Sequence, residues 1–213
     1  MLRVGLTGGL ASGKSFAARE FERLGCSVLQ ADKLGHRILV DDPGAIREVV
    51  EEFGPGVLNA EGGIDRKALG AKVFADGARL GRLNAIVHPR VFERLDRFFA
   101  EVEAAGAEDS VAMVEAAIMV ESGSYRKYQR LVLAACPREM QVSRFVAREG
   151  ASREEAESRI ARQLPLAEKR KLADYVIDTS GSKEHTLRQV RAVYGKLKSE
   201  AALSCGKGFD GEK

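Results

Sequence analysis

Five short runs of this chain are rich in apolar residues, at positions 3–6, 26–30, 110–116, 130–136 and 175–178. Four of the five set apolar residues side by side rather than on alternate positions, as strands covered on both faces do. Between them the apolar residues recur at helical spacing. Ala17, Phe21 and Leu24 fall on one face, with Arg19, Glu20 and Arg23 on another. Val91, Leu95, Phe98, Phe99 and Val102 make a second stripe, and Leu187, Val190, Tyr194, Leu197 and Ala201 a third. Strands alternating with helices predict an α/β fold: a five-stranded, mainly parallel sheet with helices on both faces. Ligands of such sheets bind beyond the carboxyl ends of the strands. The same pattern places Gly25 at a helix C-cap and Pro89 at the start of the helix that carries the Val91 stripe.

Length and composition narrow the picture. The 213 residues, 45% hydrophobic and 31% charged, suit one domain over residues 1–203 with a core of ordinary size. Residues 204–213, rich in Gly and charge, are expected to form a frayed tail. There are no internal repeats or low-complexity tracts. A formal charge of only +3 does not call for a nucleic-acid surface and suits an anionic small substrate equally well. No apolar stretch approaches the ~20 residues of a membrane span, and the N-terminus lacks a signal-peptide profile, so a cytoplasmic protein without membrane or nucleic-acid partners is expected. Cys26, Cys136 and Cys205 are odd in number, widely spaced and without metal-ligand spacing, as free thiols in a reducing compartment are.

The first strand runs directly into Gly8-Gly9-Leu10-Ala11-Ser12-Gly13-Lys14-Ser15, the G-x-x-x-x-G-K-[ST] pattern between a strand and a helix. Glycines at 8, 9 and 13 let the backbone turn tightly and bring its N–H groups close to a polyphosphate. The helix starting near Lys14 adds its unpaired N–H groups and positive dipole end. Lys14 carries a full charge toward the β/γ-phosphates of a nucleotide such as ATP. The Ser15 hydroxyl is placed to ligand Mg²⁺. The expected nucleotide contacts are therefore Gly8, Gly9, Ala11, Ser12, Gly13, Lys14, Ser15 and Phe16, with Ser15 as the metal ligand.

Other groups with chemistry follow the remaining strands. Asp32 lies just past the second, where a carboxylate can accept a proton from an attacking hydroxyl or can cap a helix over 33–40. Glu115 and Glu121 belong to the third strand and its exit; each suits a magnesium or water-positioning role, or a structural one. His88, before Pro89, reads first as a capping or packing residue. Arg138, Arg144, Arg148, Arg153, Arg159 and Arg162 concentrate on two short helices joined near Gly150-Ala151-Ser152. Arg144 and Arg148 are i,i+4 neighbours on one face. They suit either a solvated face paired with nearby glutamates or a lid over a triphosphate. Ser152-Arg153-Glu154-Glu155 opens the second helix with a capping box. A regulator that reads guanine is disfavoured by the absence of N-K-x-D, and a nucleic-acid-dependent ATPase by weak charge without aromatic-basic interleaving. Another small-molecule or nucleotide kinase remains open at this point.

Taken in order, the motifs resemble the dephospho-CoA kinase family over residues 3–181. The opening T-G-G-x-x-[SG]-G-K-S is matched from Thr7 to Ser15. The D-A-D after the second strand appears as Gln30-Ala31-Asp32, with Gln in the first place. Phe53-Gly54, then Glu61-Gly62-Gly63-Ile64-Asp65-Arg66 with Leu69, then Val73-Phe74, then Leu83-Asn84-Ala85-Ile86-Val87-His88-Pro89 follow in the family's order. P-L-L-[FV]-E is Ala117-Ile118-Met119-Val120-Glu121, without the proline. Q-x-x-R-x-x-x-R is Gln141, Arg144 and Arg148; R-I-x-x-Q is Arg159-Ile160 and Gln163. The last block is Ala173 to Gly181, with Thr179 in place of Asn. The resemblance implies transfer of the ATP γ-phosphoryl group to the ribose 3′-hydroxyl of dephospho-CoA, the last step of coenzyme A synthesis. It implies a P-loop, nucleoside-monophosphate-kinase-like core with a helical substrate-binding region over 33–105 and a lid over 138–163. It also implies Asp32 as catalytic base with Lys14, Arg144 and Arg148 as catalytic cations, Asp32, Arg66 and His88 toward the substrate, and a monomer or weak homo-oligomer.

Overall fold

The structure is a computed structural model that describes residues 1–73, 77–106 and 109–204. Its described residues divide into two compact units, one from Met1–Gln30 and Phe99–Lys213, the other Ala31–Phe98. Cys205 and the expected tail beyond Ser204 lie outside the described residues.

The first unit is built on a sheet of β1 (Leu2–Gly8), β2 (Ser27–Gln30), β3 (Val111–Glu115), β4 (Arg130–Ala135) and β5 (Tyr175–Asp178). The spatial order is β2-β3-β1-β4-β5 and every pairing is parallel. The register sets Leu6 and Gln30 beside Glu115, and Gly8 beside Ala134. The carboxyl ends of the strands therefore share one edge of the sheet. The central strands are buried, apart from the half-buried Arg3 and Arg130, because helices cover both faces. On one face Leu2, Val4, Leu6, Met113, Val132 and Ile177 pack against Ala17, Ala18 and Phe21 of α1 (Lys14–Arg23) and Val190, Val193 and Leu197 of α9 (Lys183–Ser204). Phe21, 0% exposed, stabilises this layer by about 1.5–3 kcal/mol. Leu24 is the C-cap of α1, one residue before the expected Gly25, and Gly25, at φ +107°, takes the left-handed turn that follows it.

Two helices follow β4. These are α6 (Arg138–Glu149) and α7 (Arg153–Ala161), joined through Gly150 at φ +64°. Ser152 caps α7, its hydroxyl accepting the Glu155 N–H at 3.1 Å. Val142, Phe145 and Ala156 form the buried seam of this hairpin, and Leu10 and Ala11 pack against it. The short helix α8 (Leu166–Leu172) leads into β5.

The second unit is helical: α2 (Ala31–Asp41), α3 (Pro43–Phe53), α4 (Arg66–Val73) and the part of α5 (Gly77–Ala104) up to Phe98. Its core is its own. Ile38, Ala45, Val49, Phe53, Val57, Leu69 and Val87 are buried together. Asp42 caps α3 by accepting the Ala45 N–H at 3.0 Å, with Pro43 at the first helical position. Pro89 does not start a helix, as its sequence context predicts; it lies inside α5. Pro89 leaves one helical carbonyl without its N–H partner. The neighbouring Arg90 guanidinium donates to the Ile86 carbonyl at 2.7 Å and pairs with Glu48 at 2.7 Å, holding the interrupted turn to α3. No helix among the described residues is long and apolar enough to cross a membrane.

Candidate active site

The loop between β1 and α1 carries backbone geometry that only particular residues tolerate. Gly13 has φ +86°, and a Cβ there would meet the Thr179 side chain at 3.1 Å. Ala11 adopts φ +53° despite its side chain, at a cost of about 1–2 kcal/mol. Ser12 N–H closes the turn onto the Gly9 carbonyl at 3.2 Å. A Cβ on Gly9 would lie 2.2 Å from Gln141 Nε2, so Gly9 is the residue that lets α6 approach the loop. Left-handed residues alternating in such a loop turn successive N–H groups into one concavity, which the start of α1 faces with its own. The Phe16 N–H is engaged with the Gly13 carbonyl at 3.0 Å, within the helix.

Lys14 and Ser15 both reach one carboxylate. Lys14 Nζ and Ser15 Oγ each donate to Glu115 Oε1 at 2.6 Å. Lys14 is 9% exposed and Glu115 3%, so β3 delivers this acid into a largely dry site where leaving either charge alone would be costly. Three buried side-chain atoms here have no hydrogen-bond partner: Ser12 Oγ, Gln141 Nε2 and Glu115 Oε2. Buried polar atoms are nearly always paired, so three orphans around one loop mark a site shaped for a polar ligand. The donor set also suits Mg²⁺. Among the described residues no three His, Cys, Asp or Glu side chains cluster as a metal cage. A hydroxyl and one carboxylate of hard oxygens are what this ion uses when phosphates and water complete its shell.

Of the hairpin arginines, Arg144 points to the loop and Arg148 does not. Arg144 Nη2 donates to the Thr179 carbonyl at 2.7 Å. Thr179 Oγ1 in turn donates to the Ser12 carbonyl at 2.6 Å, so Arg144, Thr179 and Ser12 form one chain of contacts after β5. Beside them, burial pushes the Cys136 thiol above its ordinary pKa, with Arg144 pulling the other way. Arg148 pairs with Glu149 at 2.7 Å on the surface. Arg153 binds Glu139 and Glu157, and Arg159 lies over the Phe145 ring at 5.3 Å.

Within the helical unit, Asp32 lies in the first turn of α2, inside the helix rather than at a cap, where its charge favours the positive dipole end. His36, one turn on, takes a 3.0 Å hydrogen bond from Arg66 Nη2. Desolvation and then Arg66 hold His36 below its ordinary pKa, and Asp32 opposes them. His88 packs edge-on against Phe92, ring centroids 6.1 Å apart. Asp32, Arg66 and His88 are all exposed.

Some site residues carry no chemical signature in the sequence. Gln163 Oε1 accepts the Leu10 N–H at 2.8 Å and Lys169 Nζ reaches the Gly8 carbonyl at 3.4 Å. The motif block containing Gln163 was the signal available for it; Lys169 had none, sitting in the polar run Glu168-Lys169-Arg170-Lys171.

A parallel sheet with a glycine-rich phosphate loop between β1 and α1, a lysine and a hydroxyl meeting a buried acid, defines a P-loop phosphotransferase. The family profile of dephospho-CoA kinase matches residues 2–185. A dephospho-CoA kinase of Aquifex aeolicus is 41% identical over 197 residues, covering 92% of this chain and 98% of its own. A crystal structure from Thermus thermophilus superposes with TM-score 0.79 at 34% identity, covering 92% of this chain and 97% of that one. The dephospho-CoA kinase of Campylobacter jejuni gives TM-score 0.68 at 27% identity, covering 93% and 98%. The chain belongs to the dephospho-CoA kinase family.

Proposed function

We propose that the chain transfers the γ-phosphoryl group of ATP to the ribose 3′-hydroxyl of dephospho-CoA, giving coenzyme A and ADP, with the roles below. The observation that carries this reading is the loop itself, where Lys14, Ser15 and Glu115 meet and three buried polar atoms lack partners. The N–H groups of residues 8–16 that face the concavity bind the triphosphate, and Lys14 moves from Glu115 toward the β/γ-oxygens. Ser15 and Glu115 would hold Mg²⁺, which would supply positive charge against the phosphates. Asp32 orients the 3′-hydroxyl and takes its proton. Arg144 stabilises charge on the group in transfer, with Arg148 joining it from the same helix face. Little covalent chemistry is asked of the protein, so positioning and electrostatics supply the rate.

Residues 33–105, with Arg66 and His88, form the acceptor region in this reading, and residues 138–163 the lid. The protein works in the cytoplasm as a monomer or weak homo-oligomer, without nucleic-acid partners. A coupled ADP-release assay with MgATP and a panel of dephospho-CoA, AMP, adenosine and pantetheine derivatives tests the acceptor. Release with dephospho-CoA alone is expected, its product carrying a 3′-phosphomonoester by phosphorus NMR. Equal or faster turnover of AMP would assign a different acceptor.

A further inference from the structure

Lys169 is 0% exposed, yet it carries a charge into the base of the phosphate loop. Its Nζ donates to the Ala117 carbonyl at 2.7 Å, pairs with Glu121 Oε1 at 2.8 Å and reaches the Gly8 carbonyl at 3.4 Å. Glu121 Oε1 also accepts the Leu164 N–H at 3.0 Å, while the neighbouring Gln163 holds the Leu10 N–H. Thus residues 163–169, which run from the turn after α7 into α8, grip both the loop and the turn after β3.

From these contacts we propose that Lys169 is a positioning residue for ATP, fixing the first peptide of the phosphate loop. The carbonyl of Gly8 and the N–H of Gly9 belong to one planar trans peptide and point in opposite directions. A cation on the Gly8 oxygen therefore sets the plane from which residues 9–13 depart, at a place where no Cβ restrains the chain. The same ammonium gathers the carbonyl ends of β1 and the β3 exit, and its charge stands behind the anion site. Packing alone does not account for it. Replacing a buried ion pair by an apolar side chain of similar volume is often neutral or stabilising, and the Glu121 side chain, 22% exposed, keeps access to water. The inference rests on the loop being the ATP site.

The test is steady-state kinetics of the full chain, varying ATP at saturating dephospho-CoA and then the reverse. Lys169→Met should raise KM for ATP roughly tenfold and leave KM for dephospho-CoA within about twofold, a split that a structural role does not produce. Lys169→Arg should restore most of the loss, because it keeps the charge and donors. Glu121→Gln, which leaves the carbonyl contacts, should raise KM for ATP about threefold. Lys171→Met, on the same helix but paired with Glu168 at the surface, should change nothing.

A folded Lys169→Met variant with wild-type KM for ATP overturns the inference, as does an equal rise in both KM values without rescue by Arg. Should Lys169→Met fail to fold, a folded Glu121→Gln variant that handles ATP normally overturns it instead. Lys14→Ala in the same assay separates the two readings. If it leaves ATP binding intact the loop reading itself fails; if it removes ATP binding while Lys169→Met does not, only the Lys169 inference fails.

Discussion

The sheet unit and the helical unit present their functional groups in opposite ways. Around the phosphate loop the polar side chains are buried or half-buried and tied by tertiary contacts: Lys14 to Glu115, Thr179 to Ser12, Gln163 to Leu10 and Lys169 to the strand ends. In the helical unit the core is apolar, and Asp32, Arg66 and His88 stand exposed on its surface. A triphosphate has many equivalent oxygens and a large charge, so its site gains from rigid donors fixed before binding. An acceptor hydroxyl needs one well-placed carboxylate, which a helix surface can present without burial. The difference teaches that fixed geometry is concentrated on the donor side of the proposed reaction.

Substituting the exposed acid strains that contrast most. Asp32→Asn should lower kcat by about a hundredfold or more, as loss of a general base does, with the far-UV CD spectrum and KM for ATP unchanged. A near-wild-type rate would leave Asp32 as a charge on the α2 dipole and nothing more. The arginine pair sharpens the contrast within one helix. Arg144→Ala, which breaks the contact to Thr179, should cost roughly tenfold in kcat with little change in dephospho-CoA affinity. Arg148→Ala, freed only from Glu149 in the structure, should cost less. An equal effect of both in single-turnover assays would mean that the hairpin rearranges before transfer.

The smallest effect concerns stability away from the site. Arg23 first, and then Arg191, hold the Glu20 carboxylate at about 2. A depressed folded-state pKa adds stability that is complete above the ordinary value of 4.5 and disappears as pH falls through about 2. Glu20→Gln should therefore flatten the fall of Tm between about pH 4.5 and about pH 2. An unchanged acid limb would show that the ion pairs of α1 contribute nothing to folding.

Where local pattern decides, the sequence is readable. All five strands lie where short apolar runs predict them, and the central β1, β3 and β4 read most plainly because a doubly covered strand must be apolar on both sides. The phosphate loop is legible for the same reason: its glycines, Lys14 and Ser15 act through backbone geometry and short range. Position in space is another matter. Pro89 reads as a helix start, but it lies within the long helix α5. Arg144 and Arg148 look equivalent at i,i+4, and only Thr179, thirty-five residues downstream of Arg144, separates them. Lys169 resembles its solvated neighbours, since nothing local shows that the strand ends converge on it.

Calorimetric titration with MgATP of the folded wild-type chain and of Lys14→Ala most directly tests whether the loop at the end of β1 holds the phosphoryl donor. The wild type should give saturable heat for one site per chain, and the Lys14→Ala variant, checked by CD and Tm because Glu115 loses its cationic partner, should lose nearly all of it. A wild-type chain that takes up no MgATP, or a variant that binds it undiminished, contradicts the assignment of the loop and every role built on it.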